Sequence, residues 1–232
     1  MREGLSKNKL IDVYDRVAGR YDLQHAFLTA WSDWRGRRIL VKEAVRPGDR
    51  VLDCGSGTGS TALLAAKKTG ASGKVVLLDI SASMLTVAER KSEEEGLSDR
   101  LEFRNGDLLD LPFEDDSFDV VLSTYSLCPV GDPSQGALEL FRVAKPGGRI
   151  GIAHSTDPKG PFVKWLADKV ENIVWRFPSI SLGCRSVSVL PALEEAGGMI
   201  IFEKHIGVPL WPFVVFVVEK PQSTSDDSGR TS

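Results

Sequence analysis

The sequence has few of the features that mark secreted, metal-binding, membrane-spanning or nucleic-acid-binding proteins. Its three cysteines, Cys54, Cys128 and Cys184, are far apart and odd in number, so they predict neither a disulfide framework nor a paired-cysteine metal site. The net charge of −3 provides no basic surface for nucleic acid. The longest apolar run, Val208–Val218, is interrupted by prolines and too short to span a bilayer, and Met1–Asn8 lacks the apolar core of a secretory signal. These absences predict a cytoplasmic protein without a bound metal, and they leave peripheral contact with a membrane open.

The order of apolar segments predicts an α/β fold. The 232 residues, 42% of them hydrophobic, are enough for one domain (1–220) followed by a disordered polar tail (221–232). From Arg50 onward, short apolar strands alternate with amphipathic helices, which is typical of a doubly wound, mostly parallel sheet with helices on both faces. The predicted strands are Val51–Cys54, Lys74–Asp79, Leu101–Asn105, Phe118–Ser123, Arg149–His154, and a closing hairpin of Met199–Ile206 and Phe213–Glu219 at the sheet edge.

The segments around this core have two interpretations each. Residues 1–46 contain predicted helices, among them Leu23–Ala30 and Arg35–Ala44, that either cover the sheet or form a lid over a site. Residues 47–154 are the predicted ligand-binding core. Residues 155–186 interrupt the alternation and either line a substrate pocket or pack in the core, and a helix over Val187–Ala196 follows.

The first predicted strand leads into a turn with glycines at alternate positions, Gly55, Gly57 and Gly59. Glycine lets a ligand approach the main chain, and the following helix directs its N-terminus toward that ligand. The spacing differs from the G-x-G-x-x-G of dinucleotide-binding proteins because residue 60 is serine, and no lysine follows Gly59 as in a P-loop. Asp53 would repel a pyrophosphate but suits a cation, such as the amino group of a methionine moiety. A purely structural turn is the alternative.

Two further acids follow predicted strands, where ligands of parallel sheets bind. Asp79 ends the second strand about 20 residues after Gly59, the offset at which an acid accepts hydrogen bonds from both hydroxyls of a ribose. Asp107 follows the third strand and can accept a hydrogen bond from an adenine amino group, with Leu108 adding backbone and apolar contact. The alternatives are a helix-capping acid for Asp79 and a surface turn for Asp107.

Together, the glycine turn, Asp79, Asp107 and Lys145-Pro146-Gly147-Gly148 resemble class I S-adenosylmethionine (SAM) methyltransferases. The resemblance covers about Tyr14–His154, and it implies a seven-stranded Rossmann-like sheet whose last strand is antiparallel. It also implies that SAM is the cofactor. The implied cofactor-binding residues are Tyr21, Asp53, Gly55, Ser56, Gly57, Thr58, Gly59, Asp79, Ile80, Met84, Gly106, Asp107, Leu108 and Thr124.

A finer resemblance is to the ubiquinone/menaquinone biosynthesis C-methyltransferases. It rests on Val13-Tyr14-Asp15-x-Val17-Ala18-x-x-Tyr21-Asp22, on Trp34-Arg35 and on Gly73-Lys74-Val75-Val76-Leu77-x-Asp79. It implies that Tyr21 helps to close over SAM. Where that family has Phe-Gly-x-Arg-Asn, this chain has Tyr125-Ser126-Leu127-Cys128-Pro129, and Leu127-Cys128-x-Val130 is similar to methyltransferases of lipids and small lipophilic acceptors.

Methyl transfer from a sulfonium is an in-line displacement, so the protein mainly holds donor and acceptor at attack distance. A general base is needed only where the acceptor loses a proton. His154, at the end of the fifth strand, is the first candidate, and His25 and Asp33 are second choices; a structural histidine is the alternative for His154. The predicted pocket residues are Tyr125, Cys128, Trp34 and Trp165.

These observations favour a SAM-dependent methyltransferase of a small lipophilic acceptor, with a quinone-precursor ring carbon as the first guess. A phosphatidylethanolamine-type N-methyltransferase and a thiol or O-methyltransferase stay open. So does a catalytically silent SAM-binding subunit. An NAD-dependent oxidoreductase is disfavoured by the glycine spacing and Asp53. A homodimer is left open.

Overall fold

The computed structural model describes residues 6–22, 32–158, 160–174, 185–209 and 211–222. Within these ranges the chain forms a seven-stranded sheet with helices on both faces. The strands are β1 (Arg50–Cys54), β2 (Lys74–Asp79), β3 (Leu101–Asn105), β4 (Phe118–Thr124), β5 (Ala144–Ser155), β6 (Met199–Val208) and β7 (Trp211–Glu219). The helices are α1 (Lys7–Val17), α2 (Ser32–Ala44), α3 (Ser60–Thr69), α4 (Ala82–Glu94), α5 (Pro133–Val143), α6 (Pro161–Val174) and α7 (Leu190–Glu195), with 3₁₀ turns at Ala18–Arg20 and Ser98–Arg100.

The strand order is β3-β2-β1-β4-β5-β7-β6. Strands β1 to β5 pair in parallel, while β7 is antiparallel to both β5 and β6. The predicted class, a doubly wound sheet with an antiparallel last strand, is therefore confirmed, and the closing hairpin lies at the sheet edge as expected. The order reverses at β1 and β4, which is the position where open α/β sheets bind ligands.

The central strands are apolar on both faces because helices cover both sides of the sheet. Leu52 of β1 and Val121 of β4 belong to one buried layer, which packs toward α5. Val51 and Leu122, one residue away on the same strands, belong to the other layer, which packs toward α2 and α3. Alternation along each strand therefore decides which helix layer a side chain meets.

Several element boundaries differ from the sequence prediction, three of them by three residues or more. Helix α2 begins at Ser32 rather than Arg35, and β5 begins at Ala144, directly after α5, instead of after a separate turn. The irregularity of that segment appears as a register shift in the pairing of β4 with β5. Helix α7 covers only Leu190–Glu195; the residues before it are irregular, and the N–H of Val187 donates to the carbonyl oxygen of Ser155 on β5 (3.3 Å).

Two sequence predictions fall outside the described residues. These are the helix over Leu23–Ala30, which includes His25, and most of the predicted tail. Among the helices that are described, none has both the length and the apolar character needed to cross a membrane.

Candidate functional site

A cleft of about 750 Å³, which includes open solvent at its mouth, lies at the carboxyl ends of β1 to β4. Eleven of the residues predicted from sequence line it. They are Tyr21, Gly55, Gly57, Asp79, Ile80, Met84, Gly106, Asp107, Leu108, Thr124 and Tyr125.

The glycine turn forms the floor of the cleft because it is fastened to β2. The backbone N–H groups of Gly55 and Ser56 both donate to the carbonyl oxygen of Leu78, at 2.8 and 3.0 Å. Gly55, Gly57 and Gly59 all have positive φ angles, of 64°, 53° and 78°. The turn therefore needs glycine for its conformation at each alternate position.

The three glycines meet different surroundings. A Cβ on Gly57 would have no neighbour within 4 Å, so the main chain there is open to a ligand. A Cβ on Gly59 would lie 2.9 Å from Ala88 Cβ, which shows that this glycine is needed for packing of α3 against α4. Ser56 and Thr58, between the glycines, are buried and do not line the cleft.

These surroundings predict that two alanine variants differ in which property is affected most, the free energy of unfolding or ligand binding. Gly59→Ala should lower the free energy of unfolding by roughly 2–4 kcal/mol, because left-handed strain adds to overpacking. Gly57→Ala should cost about 1–2 kcal/mol of strain alone but should weaken ligand binding, since its methyl group projects into open space at the cleft. Denaturant unfolding and calorimetric titration of each variant separate the two effects. Equal losses of unfolding free energy in the two variants would show that Gly59 is no more important for packing than Gly57.

Asp79 is the acid most directly aimed at a ligand. Its Oδ2 accepts the N–H of Gly57 at 2.7 Å, and its Oδ1 accepts the N–H of Ser81 at 2.9 Å. Burial raises the pKa of Asp79, and these backbone hydrogen bonds oppose the rise. Each carboxylate oxygen accepts one backbone bond and keeps further acceptor capacity toward the cleft. The arrangement suits a pair of neighbouring hydroxyl groups.

Asp107 links the cleft to the N-terminal helix. Its Oδ1 accepts the N–H of Leu109 at 3.0 Å, and its Oδ2 lies 3.0 Å from Lys7 Nζ. A second link joins α1 to α4, where Ser81 Oγ donates to Asp15 Oδ1 at 2.5 Å. Helix α1 borders the cleft through Lys7, Leu10 and Tyr14, and its function as a lid stays a prediction.

Asp53 does not line the cleft but lies behind its floor. The side chain is fully buried on the face of β1 that meets α2. No side chain among the described residues donates a hydrogen bond to either oxygen, and the backbone N–H of Ala62 is the donor that acts on the carboxyl. Burial raises the pKa of Asp53 to about 7, although the positive charge of Arg37 opposes the rise. Asp53 therefore does not make the predicted direct contact with a cationic ligand in the cleft; the charged group that acts on it is Arg37.

Arg37 connects this buried acid to the cleft. Its Nη1 donates to Thr61 Oγ1 at 3.1 Å and to Thr124 Oγ1 at 3.0 Å, and its Nη2 lies 3.9 Å from Asp33 Oδ2. Thr124 lines the cleft, and Tyr125, which follows it, stacks on the guanidinium at 5.2 Å. Tyr125 has a φ of 60°, a left-handed backbone conformation that is strained for a bulky residue. Residues with such strained backbone angles are found most often at functional sites.

The two catalytic candidates that the structure describes, His154 and Asp33, lie away from the cleft. His154 is buried, its ring packs edge-on against Phe216, and its Nε2 has no hydrogen-bond partner among the described residues. Burial lowers the pKa of His154, which keeps the imidazole neutral. Asp33 is held beside Arg37 in the first turn of α2. Neither of the two lines the cleft, and a general base stays a prediction.

Of the predicted pocket residues, Tyr125 alone lines the cleft. Cys128 is buried, with its Sγ 3.9 Å from Ser155 Oγ. Trp34 is half-exposed on α2, and Trp165 stacks on Phe162 at the surface of α6. The geometry therefore does not bring these three side chains to the cleft.

Sequence reasoning missed nine lining residues. Lys7, Leu10 and Tyr14 share one face of α1, and their helical spacing was the signal that could have found them. The segment Pro129–Gly131, called the acceptor wall below, carries no such signal because it is irregular. The remaining missed residues are Leu78, Leu109 and Ser126.

Comparisons of the sequence with a family model and with known proteins all match methyltransferases of one family. Residues 2–168 match the model of the ubiE/COQ5 methyltransferase family. The chain is 42% identical over 171 residues to a demethylmenaquinone methyltransferase of Clavibacter sepedonicus. It is 38% identical over 157 residues to the ubiquinone/menaquinone biosynthesis C-methyltransferase UbiE of Hahella chejuensis. These matches cover 71% and 67% of this chain but 66% and 63% of the relatives, so the chain spans less than two thirds of their length.

The fold also has solved counterparts. The YcgJ protein from Bacillus subtilis matches with a TM-score of 0.65 at 21% identity, over 81% of this chain and 99% of that one. This likeness concerns the fold alone.

Proposed function

The chain belongs to the ubiE/COQ5 methyltransferase family, and we propose that it transfers a methyl group from SAM to a ring carbon of a quinone precursor. The observation that carries the proposal is the placement of Asp79 beside the open main chain at Gly57, at the floor of the cleft. The relatives' names supply the acceptor class.

The residues present fit SAM. Asp79 would accept hydrogen bonds from the ribose hydroxyls, while Ile80, Met84 and Leu108 would pack on the adenine. The turn at Gly55–Gly57 leaves room for the methionine moiety next to Thr124. When bound, SAM supplies an electrophilic methyl group on a sulfonium, and the chain's own task is to orient the donor and exclude water.

Part of the cleft lining favours a lipophilic acceptor. This part consists of Leu109 and the acceptor wall, Pro129–Gly131. These residues carry no charged side chain, so they favour an aromatic ring over a charged headgroup. A quinol ring would be held by apolar contact, and its own hydroxyl would provide the electron density for attack on the methyl group.

The test has two arms. Calorimetric titration with S-adenosylhomocysteine (SAH) measures the cofactor site, and transfer of labelled methyl groups measures the acceptor, with a reduced demethylnaphthoquinone, phosphatidylethanolamine and a small aliphatic thiol in parallel. We expect SAH binding and labelling of the naphthoquinol. Failure to bind SAH at high micromolar concentration would refute the cofactor assignment. Labelling of only the lipid or the thiol would refute the acceptor.

We also propose that the protein contacts membranes peripherally through α6. Phe162 and Trp165 of this helix are 73% and 56% exposed, and their rings stack with centroids 6.1 Å apart. Paired exposed aromatics are suited to the membrane interface, where a lipophilic acceptor would be found. Flotation with neutral phosphatidylcholine vesicles should recover the native protein but not the Phe162→Ser/Trp165→Ser variant. Equal recovery of both would exclude this contact.

A further inference from the structure

Arg185 lies directly behind the acceptor wall. It is 7% exposed and lies at the end of the predicted insertion, residues 155–186. Its Nε donates to the carbonyl oxygen of Cys128 at 3.0 Å, and its Nη2 donates to the carbonyl oxygen of Val130 at 2.8 Å. One guanidinium therefore spans the two carbonyls on either side of Pro129.

The segment needs such a donor because it cannot supply its own. Pro129 has no N–H, and buried carbonyl oxygens require hydrogen-bond partners. Arg185 does not line the cleft, so the two oxygens it binds are engaged on the side away from the cleft. The surface that the acceptor wall presents to a ligand is therefore apolar, in agreement with a lipophilic acceptor.

The arginine is itself held in place. Two residues later, Val187 N donates to Ser155 O at 3.3 Å, which fixes this stretch to the end of β5. Ser155 Oγ lies 3.9 Å from Cys128 Sγ, so β5 supports both sides of the contact. Lysine could not replace this arrangement, because a single ammonium lacks the planar fork that reaches two fixed acceptors at once.

We propose that Arg185 is a positioning residue that fixes the acceptor wall, and that it thereby determines affinity for the methyl acceptor without contributing to affinity for the cofactor. The inference rests on the proposed function for the identity of the acceptor. It assigns a role to a residue that touches neither the reacting atoms nor the cleft.

The kinetic test compares Arg185→Lys with Arg104→Lys, a control arginine whose side chain is 62% exposed on β3. We expect the KM for the reduced demethylnaphthoquinone to rise about tenfold in Arg185→Lys, the scale of a lost charge-assisted hydrogen bond, while the Kd for SAH stays within twofold. Arg104→Lys should match the native protein. An unchanged KM, or a Kd for SAH that rises in parallel with KM, would overturn the inference.

A second measurement does not depend on turnover. In the SAH complex, hydrogen exchange of the amides of Leu127, Cys128, Val130 and Gly131 should accelerate about tenfold in Arg185→Lys, and exchange at Met84 and Leu85 in α4 should not change. Native-like protection at Val130 and Gly131 would refute the role of Arg185 whatever the acceptor. A native protein that binds SAH but methylates no quinol would instead refute the proposed function, and the exchange result would still decide this inference.

The Pro129→Gly variant covers the case in which Arg185→Lys does not fold. It keeps both carbonyls and Arg185 but loosens the wall, so it should reproduce the raised KM with unchanged SAH affinity. A native KM for Pro129→Gly would show that the position of the wall does not govern acceptor binding, and the proposal would fall.

Discussion

Replacing Asp79 with alanine should weaken SAH binding by about a hundredfold or more. The carboxylate keeps acceptor capacity on each oxygen while it bonds to Gly57 and Ser81. Two hydrogen bonds from ribose hydroxyls to a charged group contribute about 1.5–3 kcal/mol each, and 1.4 kcal/mol corresponds to a tenfold change in affinity. Their loss accounts for the expected effect, and calorimetric titration with SAH measures it.

The matched variants separate recognition from local structure. Asp79→Asn keeps the shape but turns an amide NH₂ toward either Gly57 N or Ser81 N, so a donor faces a donor and binding should also fall by at least tenfold. Glu102→Ala, on the neighbouring strand with its side chain half-exposed, should bind SAH like the native protein. A change of less than threefold in Asp79→Ala would mean that the carboxylate does not hold the sugar, and the cofactor assignment would lose its main support.

Local signals predicted several elements well. The strand Lys74–Asp79 and the helix Ala82–Glu94 have the predicted bounds. Ser81 caps this helix as expected, since its Oγ accepts the N–H of Met84 at 3.1 Å. Gly96, with a φ of 66°, ends the segment in a left-handed conformation. Such features depend on neighbours in sequence, so they can be read without knowledge of the fold.

Long-range contacts set the features that sequence could not predict. Before the start of α7, Val187 bonds to Ser155; the two are 32 positions apart in numbering and meet only after β5 is in place. Arg37 meets Thr124 across 87 positions. No periodicity indicates such a pair. The resemblance to a known family gave the number of strands and the antiparallel direction of the last one, which local patterns alone do not determine.

The site was predicted best where the backbone direction alone decides the position. Residues at strand ends, such as Asp79 and Asp107, reach the cleft because parallel strands share one edge. Asp53 differs because it is inside β1, where alternation directs its side chain to the layer that contains Val51 and not to the cleft. Residue type and spacing alone cannot distinguish a side chain that reaches the cleft from one that is buried under a helix, because this depends on which face of the sheet the side chain is on.

The buried position of Asp53 leads to a strong pH dependence of stability. Its pKa is about 7 in the folded protein, against an ordinary value of 3.8. A raised pKa means that the folded state binds the proton more tightly than the unfolded state, so the stabilisation is complete below about pH 4 and is lost as the pH rises through 7. Asp53 should therefore lower the free energy of unfolding by about 1.4 kcal/mol per pH unit between these limits, or about 4 kcal/mol in total.

Asp53→Asn should remove this contribution, because an amide does not titrate. Measured by urea unfolding at pH 4.5, 5.5, 6.5 and 8, the stability of the variant relative to the native protein should increase steadily up to about pH 7 and then stay constant. Asp99→Asn, with a side chain that is 79% exposed, should follow the native curve. If the difference between Asp53→Asn and the native protein were the same at every pH, the carboxylate would already be ionised in the folded state, and Arg37 would then be its effective counterion.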